Sequence, residues 1–75
     1  MHYSTELLRA TRVKIGCNIH LARAKRRLVL AKLAKLSGIA EDKIDRYELG
    51  KNEIRLDELL RIACVLDVRV GVLLE

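Results

Sequence analysis

From Ile19 to Leu36 the sequence runs without a glycine, a proline or a good helix-capping residue. Propensity alone draws one unbroken helix through this stretch. A helix of that length cannot fold back on itself, and a chain of 75 residues gains a core only if its elements do fold back. The stretch therefore has to break, and the place that leaves a usable helix on either side is near Arg27 to Val29. Upstream, Leu7, Leu8, Ile15, Ile19 and Ala22 recur close to a 3.6-residue period behind a possible cap at Ser4 or Thr5, with Gly16 weakening the middle. Downstream, Leu28, Leu30, Leu33, Ala34 and Leu36 continue to Ser37-Gly38, where glycine suits a left-handed helix end. A third segment, Glu41 to Leu49, puts Ile44 and Tyr47 on one face and stops at Gly50. A fourth is marked by Leu56, Leu59, Leu60, Ile62, Ala63 and Leu66, with Asp57 and Glu58 in the first turn where the helix dipole favours acids. The tail, Val68 to Leu74, alternates at first, so its period leaves a short helix and an extended piece both open.

Composition removes several function classes. Half the residues are apolar, which excludes disorder, and the length allows one small domain. Charge-free stretches such as Ile15 to Leu21 are short and contain Asn18 and His20, so neither a signal-peptide core nor a membrane span is expected, and the reading is of a soluble, cytoplasmic chain. Cys17 and Cys64 lie far apart in the sequence; they read as two reduced thiols, with no metal and no cofactor called for. There is no Phe or Trp, and Tyr3 and Tyr47 alone cannot make a stacking platform for single-stranded nucleic acid. His2 and His20 have no Asp, Glu, Ser or Cys in a readable catalytic arrangement and no phosphate-binding glycine loop exists, so no enzyme is expected; His20 reads as solvent-facing.

Charge is unevenly spread. Residues 1–37 carry nine Lys/Arg against the single acid Glu6, and residues 38–75 carry six against nine acids. The cations Arg9, Arg12, Lys14, Arg23, Lys25, Arg26, Arg27, Lys32 and Lys35 form a stripe that would steer a polyanion to the first half of the fold. A solvated helix surface is the other reading of the same residues.

Taken in order, Ile15-Gly16, Ile19 and Arg23, then Leu33-Ala34, Gly38-Ile39, Ile44, Tyr47-Glu48, Gly50-Lys51-Asn52, Leu59, Ile62-Ala63, Leu66-Val68 and Leu73-Leu74 resemble the phage-repressor and Cro-type helix-turn-helix family, also called the xenobiotic-response-element family. About four fifths of the chain carries the resemblance. It implies an all-α, five-helix, lambda-repressor-like DNA-binding domain over residues 14–75, with residues 1–13 as an N-terminal extension or a lengthened first helix. The residue types agree: Ala34 is small where two helices come closest, and Gly38 tolerates a positive φ in the turn. The resemblance further implies an ion pair between Arg23 and Glu48. It places the helix of about residues 40–49 in the major groove of double-stranded DNA, with Glu41, Asp42, Lys43, Asp45 and Arg46 at or near base edges, Lys51 and Asn52 on the backbone, and Arg27 and Lys32 on phosphates.

Three departures fall on the DNA face. Val29 and Leu30 stand where the family has a polar cap and a base-reading Gln. The recognition helix also opens with Ala40-Glu41-Asp42 and carries Asp45 one turn on; carboxylates repel phosphates, and only cytosine N4 rewards an acid in the major groove. Val29-Leu30 reads as core if the helix break is shifted, with an exposed patch as the alternative. After a small core is filled, Val70, Val72 and Leu74 remain, which suggests a homodimer interface at the tail. Two functions are thus expected: a sequence-specific, homodimeric transcriptional regulator such as a repressor, or a protein-interaction module on the same fold, such as an antitoxin or anti-repressor, with DNA reading reduced.

Overall fold

The computed structural model describes residues 4–75, and the part of the N-terminal extension before Ser4, with His2 and Tyr3, lies outside them. Five helices follow in order: α1 (Thr5–Lys25), α2 (Leu30–Ser37), α3 (Glu41–Glu48), α4 (Leu56–Leu66) and α5 (Val70–Leu73). Ser4 starts α1 by accepting a hydrogen bond on Oγ from the Leu7 N–H at 3.0 Å. Residues 5–13 are the first turns of this one helix, continuous with the part that packs on the domain. The ambiguous tail is helical, and Leu73 anchors it fully buried.

One device closes the first four helices. Arg27 (φ 53°), Gly38 (φ 72°), Gly50 (φ 71°) and Asp67 (φ 55°) each turn left-handed. The next residue then donates its N–H to the carbonyl five positions back: Leu28 to Arg23 (3.2 Å), Ile39 to Ala34 (3.3 Å), Lys51 to Arg46 (2.9 Å) and Val68 to Ala63 (3.0 Å). This is how α1 ends although no glycine interrupts the apolar run, and it puts the break at residues 26–29. A non-glycine residue in this conformation costs about 1 kcal/mol. Burying the apolar residue that follows offsets it, and Leu28, Ile39 and Val68 all pack in or against the core.

The core joins Ile19 of α1, Leu33 of α2, Ile39 of the turn, Ile44 and Tyr47 of α3, Leu59, Ile62, Ala63 and Leu66 of α4, and Leu73 of α5. Gly16 does more than weaken its helix. It lets α1 cross the end of α3, where a Cβ at position 16 would overlap the Tyr47 carbonyl oxygen and lie 2.8 Å from that of Glu48. The expectation that Val29 belongs to the core is corrected. Because the helix begins only at Leu30, Val29 has extended backbone and its side chain is 66% exposed, while Leu30 packs half-buried against the core. Leu7 and Leu8 share the apolar period of α1 yet stay exposed, since the helix there outruns the core.

Candidate nucleic-acid interface

Helices α2 and α3 are joined by a turn of three residues, Gly38 to Ala40, held from both sides. The Ala34 carbonyl receives the N–H groups of both Gly38 and Ile39, and Ser37 Oγ donates to it at 3.3 Å. From α4, Arg61 Nη1 donates to the Ser37 carbonyl at 3.1 Å. Ala34 is half-buried at this junction, and Ile39 inserts into the core. A turn satisfied this completely fixes the angle at which α3 is presented.

Helix α3 buries Ile44 and Tyr47 and exposes Glu41, Asp42, Asp45 and Arg46. Its cations are not free. Lys43 Nζ lies 3.0 Å from the carboxylate of Glu58, which is 6% exposed and also accepts from the Tyr47 hydroxyl. Arg61 Nη2 stands 3.7 Å from the same carboxylate. Burial pushes the Glu58 carboxyl up, but hydrogen bonds from Tyr47 and Lys43 bring it below its ordinary value. The Glu58 hydrogen bond raises Lys43, and burial together with that carboxylate raises the Tyr47 phenol. Arg46 pairs with Asp42 one turn earlier at 3.3 Å, and its Nε donates to the Asn52 side-chain oxygen at 3.2 Å. Asn52 in turn donates to the Lys51 carbonyl at 3.2 Å.

The flanks differ. Arg27 before α2, Lys32 in its first turn and Lys51 after α3 are exposed, and among the described residues none of them pairs with an acid. Elsewhere in the basic stripe Arg12 pairs with Glu53 at 3.1 Å and Arg26 with Asp67 at 3.0 Å.

Arg23 and Glu48 meet, and they hold the two flanks in register. Arg23 Nε and Nη2 donate to the Glu48 carboxylate at 2.7 and 2.9 Å, and Nη1 donates to the Leu28 carbonyl at 2.9 Å. One side chain thus ties the loop before α2 to the end of α3. His20 Nδ1, on an exposed side chain, lies 3.1 Å from Glu48 Oε1. The Glu48 carboxyl is raised by burial and brought below its ordinary value by hydrogen bonds from Arg23 and then His20, while the bond to Glu48 raises Arg23.

Sequence reasoning missed Glu58 and Arg61. Glu58 reads as a first-turn acid complementing a dipole, and nothing local shows that the α4 position faces Tyr47 and Lys43. At the tail, Val70 is half-buried against the core while Val72 and Leu74 are 44% and 50% exposed. Leu74 borders a groove lined also by Leu8, Ile15, Ile54, Leu56 and Leu59. Among the described residues no helix is long and apolar enough to cross a membrane.

Residues 18–75 match the family described as Cro/C1-type HTH DNA-binding domain. Among solved structures, the restriction-modification controller protein C.AhdI from Aeromonas hydrophila is similar at a TM-score of 0.83 and 30% identity, over 85% of this chain and 97% of that one. Two crystal structures of the clp gene regulator ClgR from Corynebacterium glutamicum superpose at TM-scores of 0.83 and 0.81, both at 23% identity over 85% of this chain, and over 68% and 83% of theirs. At that identity the likeness is one of fold. No curated protein matches the chain.

Proposed function

The chain belongs to the Cro/C1-type helix-turn-helix DNA-binding family, and from that premise we propose that it is a transcriptional regulator reading a two-fold operator as a homodimer. The observation that carries the reading is a contrast of charge: the cations of α3 are held by Glu58 and Asp42, whereas Arg27 before α2, Lys32 in its first turn and Lys51 after α3 are exposed and, among the described residues, have no acidic partner. In this reading those three side chains, with Asn52, hold the phosphate backbone, and α3 lies in the major groove. Glu41, Asp42 or Asp45 accepts from cytosine N4, while Lys43 and Arg46 reach DNA only after giving up Glu58 and Asp42. The similarity to a restriction-modification controller supports a role in gene control. Val70, Val72 and Leu74 would form the two-fold contact, which the exposure of Val72 and of Leu74, the latter bordering a largely apolar groove, supports.

Selection of sites by the purified chain from random duplex DNA tests the proposal. Enrichment of a palindrome with half-sites about one helical turn apart is expected. The exposed Val29 (66%) and Leu36 (53%) on the α2 side favour the second reading, a protein-interaction module. No enriched sequence, together with loss of a protein partner on Val29→Glu, would put that reading first.

A further inference from the structure

The two ion pairs on α3 differ in where the carboxylate stands. Asp42 and Arg46 lie one turn apart on the solvent side, with 72% and 48% of their side chains exposed. A pair of that kind is worth little, and its members exchange readily with water or with another ion. Glu58 is buried and reaches α3 from the first turn of α4. Lys43 Nζ lies 3.0 Å from each oxygen of its carboxylate and 6.0 Å from the centre of the Tyr47 ring. The other cation at hand does not replace it. Arg61 Nη2 stays 3.7 Å away, beyond hydrogen-bond reach, and Nη1 is engaged by the Ser37 carbonyl. Were Lys43 to leave, the Tyr47 hydroxyl would be the one hydrogen-bond donor left to the carboxylate among the described residues. A buried charge that loses its partner is costly, because nothing then offsets its desolvation.

We propose that Glu58 is a specificity-determining residue: from α4 it withholds Lys43 from the DNA phosphates, so that this lysine adds nothing to sequence-independent binding. The inference rests on α3 lying at the DNA, as proposed above, and adds which of its two cations the backbone can recruit. A phosphate that draws Arg46 away releases Asp42 into water; a phosphate that draws Lys43 away strands Glu58. Glu58 is too buried to touch DNA, so it is a positioning residue acting through Lys43. Its charge is the part that matters. A neutral side-chain carbonyl would also accept the Tyr47 hydrogen bond, whereas only an anion cancels the charge of the lysine.

Salt titrations of the full chain on a random-sequence duplex test this. Glu58→Gln, its fold checked by circular dichroism, should tighten binding at low salt and steepen the slope of log affinity against log salt by about 0.9, the worth of one added phosphate contact. Adding Lys43→Ala to that variant should remove the gain. A residue with a structural role alone would lower the melting temperature in Glu58→Gln and leave the slope where it was, and that result would overturn the proposal, as would a gain that survives Lys43→Ala. The triple variant Arg27→Ala, Lys32→Ala, Lys51→Ala separates this proposal from the reading it rests on. If the triple variant flattens the slope and Glu58→Gln does not steepen it, the role of Glu58 falls and DNA binding at this face stands; if neither moves the slope, both fall. A second measurement needs no variant. When the duplex is added to the unaltered chain, the ammonium resonance of Lys43 should stay in place while that of Lys51 shifts, and equal shifts of the two would overturn the proposal.

Discussion

The two parts of the proposed DNA-reading face are built on opposite electrostatic terms. On its flanks, Arg27, Lys32 and Lys51 stand exposed and, among the described residues, without acidic partners; on α3 itself, Lys43 and Arg46 are held by Glu58 and Asp42, and Glu41 and Asp45 add charge of the wrong sign for DNA. Non-specific affinity comes from cations that release counterions, so on the proposed reading the flanks supply such affinity. If α3 is the recognition helix, its paired cations and net acidic face add little to it and penalise any sequence that does not reward a carboxylate. On the proposed reading, selectivity is gained by suppressing unspecific binding as much as by making contacts.

The largest effect is expected where the two sides are joined. Arg23→Ala or Glu48→Ala strands a charge that is 7–16% exposed in the native pair, and each should lower stability by about 3 kcal/mol in urea denaturation. The double variant should lose less than the sum, and strict additivity would show that the clamp is not a unit. Next come the flanking cations. Arg27→Ala, Lys32→Ala and Lys51→Ala should each weaken binding to every duplex alike, and each should reduce the salt slope by about 0.9 in a titration followed by anisotropy.

Smaller and opposite in sign are the neutral replacements on α3. Glu41→Gln, Asp42→Asn and Asp45→Asn should tighten binding to random duplex at low salt, Asp42→Asn also by releasing Arg46. Whichever residue reads a base should lose about 1 to 3 kcal/mol of preference at one operator position. If all three leave both affinity and preference flat, α3 is not in the groove. The smallest effect concerns acid. Glu48 and Glu58 are held below their ordinary value of 4.5 in the fold, so they bind protons more readily once unfolded. Their contribution is present above that value and is lost as pH falls through their folded values. Thermal melting should therefore be flat near neutrality and decline below about pH 4.5, and Glu58→Gln should flatten the acid limb.

Much of the fold is legible in the sequence because its signals are local: the apolar periods of α2, α3 and α4, the turns at Gly38 and Gly50, and the Ser4 cap. The end of α1 is harder to read, since Arg27 and Asp67 take a left-handed conformation without being glycine. The usable signal there is the buried apolar residue that follows, Leu28 and Val68. Val29 points outward because the break runs through position 29 and leaves it extended just before α2, outside the helix's apolar face, and an apolar side chain carries no local sign of that. The pairing state of the site could not be read locally. Lys43 lies fifteen residues before Glu58, and only the fold, which sets the first turn of α4 within reach of the Lys43 and Tyr47 side chains, brings them together.

The salt dependence of duplex binding tests the division of labour most directly. For the triple variant Arg27→Ala, Lys32→Ala, Lys51→Ala the slope of log affinity against log salt should fall by about 2.7 per bound chain. For Lys43→Ala, Arg46→Ala it should change by less than about 1, because those cations already have anionic partners in the free protein. Equal loss of slope per residue in the two variants, or a greater loss in the α3 pair, would contradict the account.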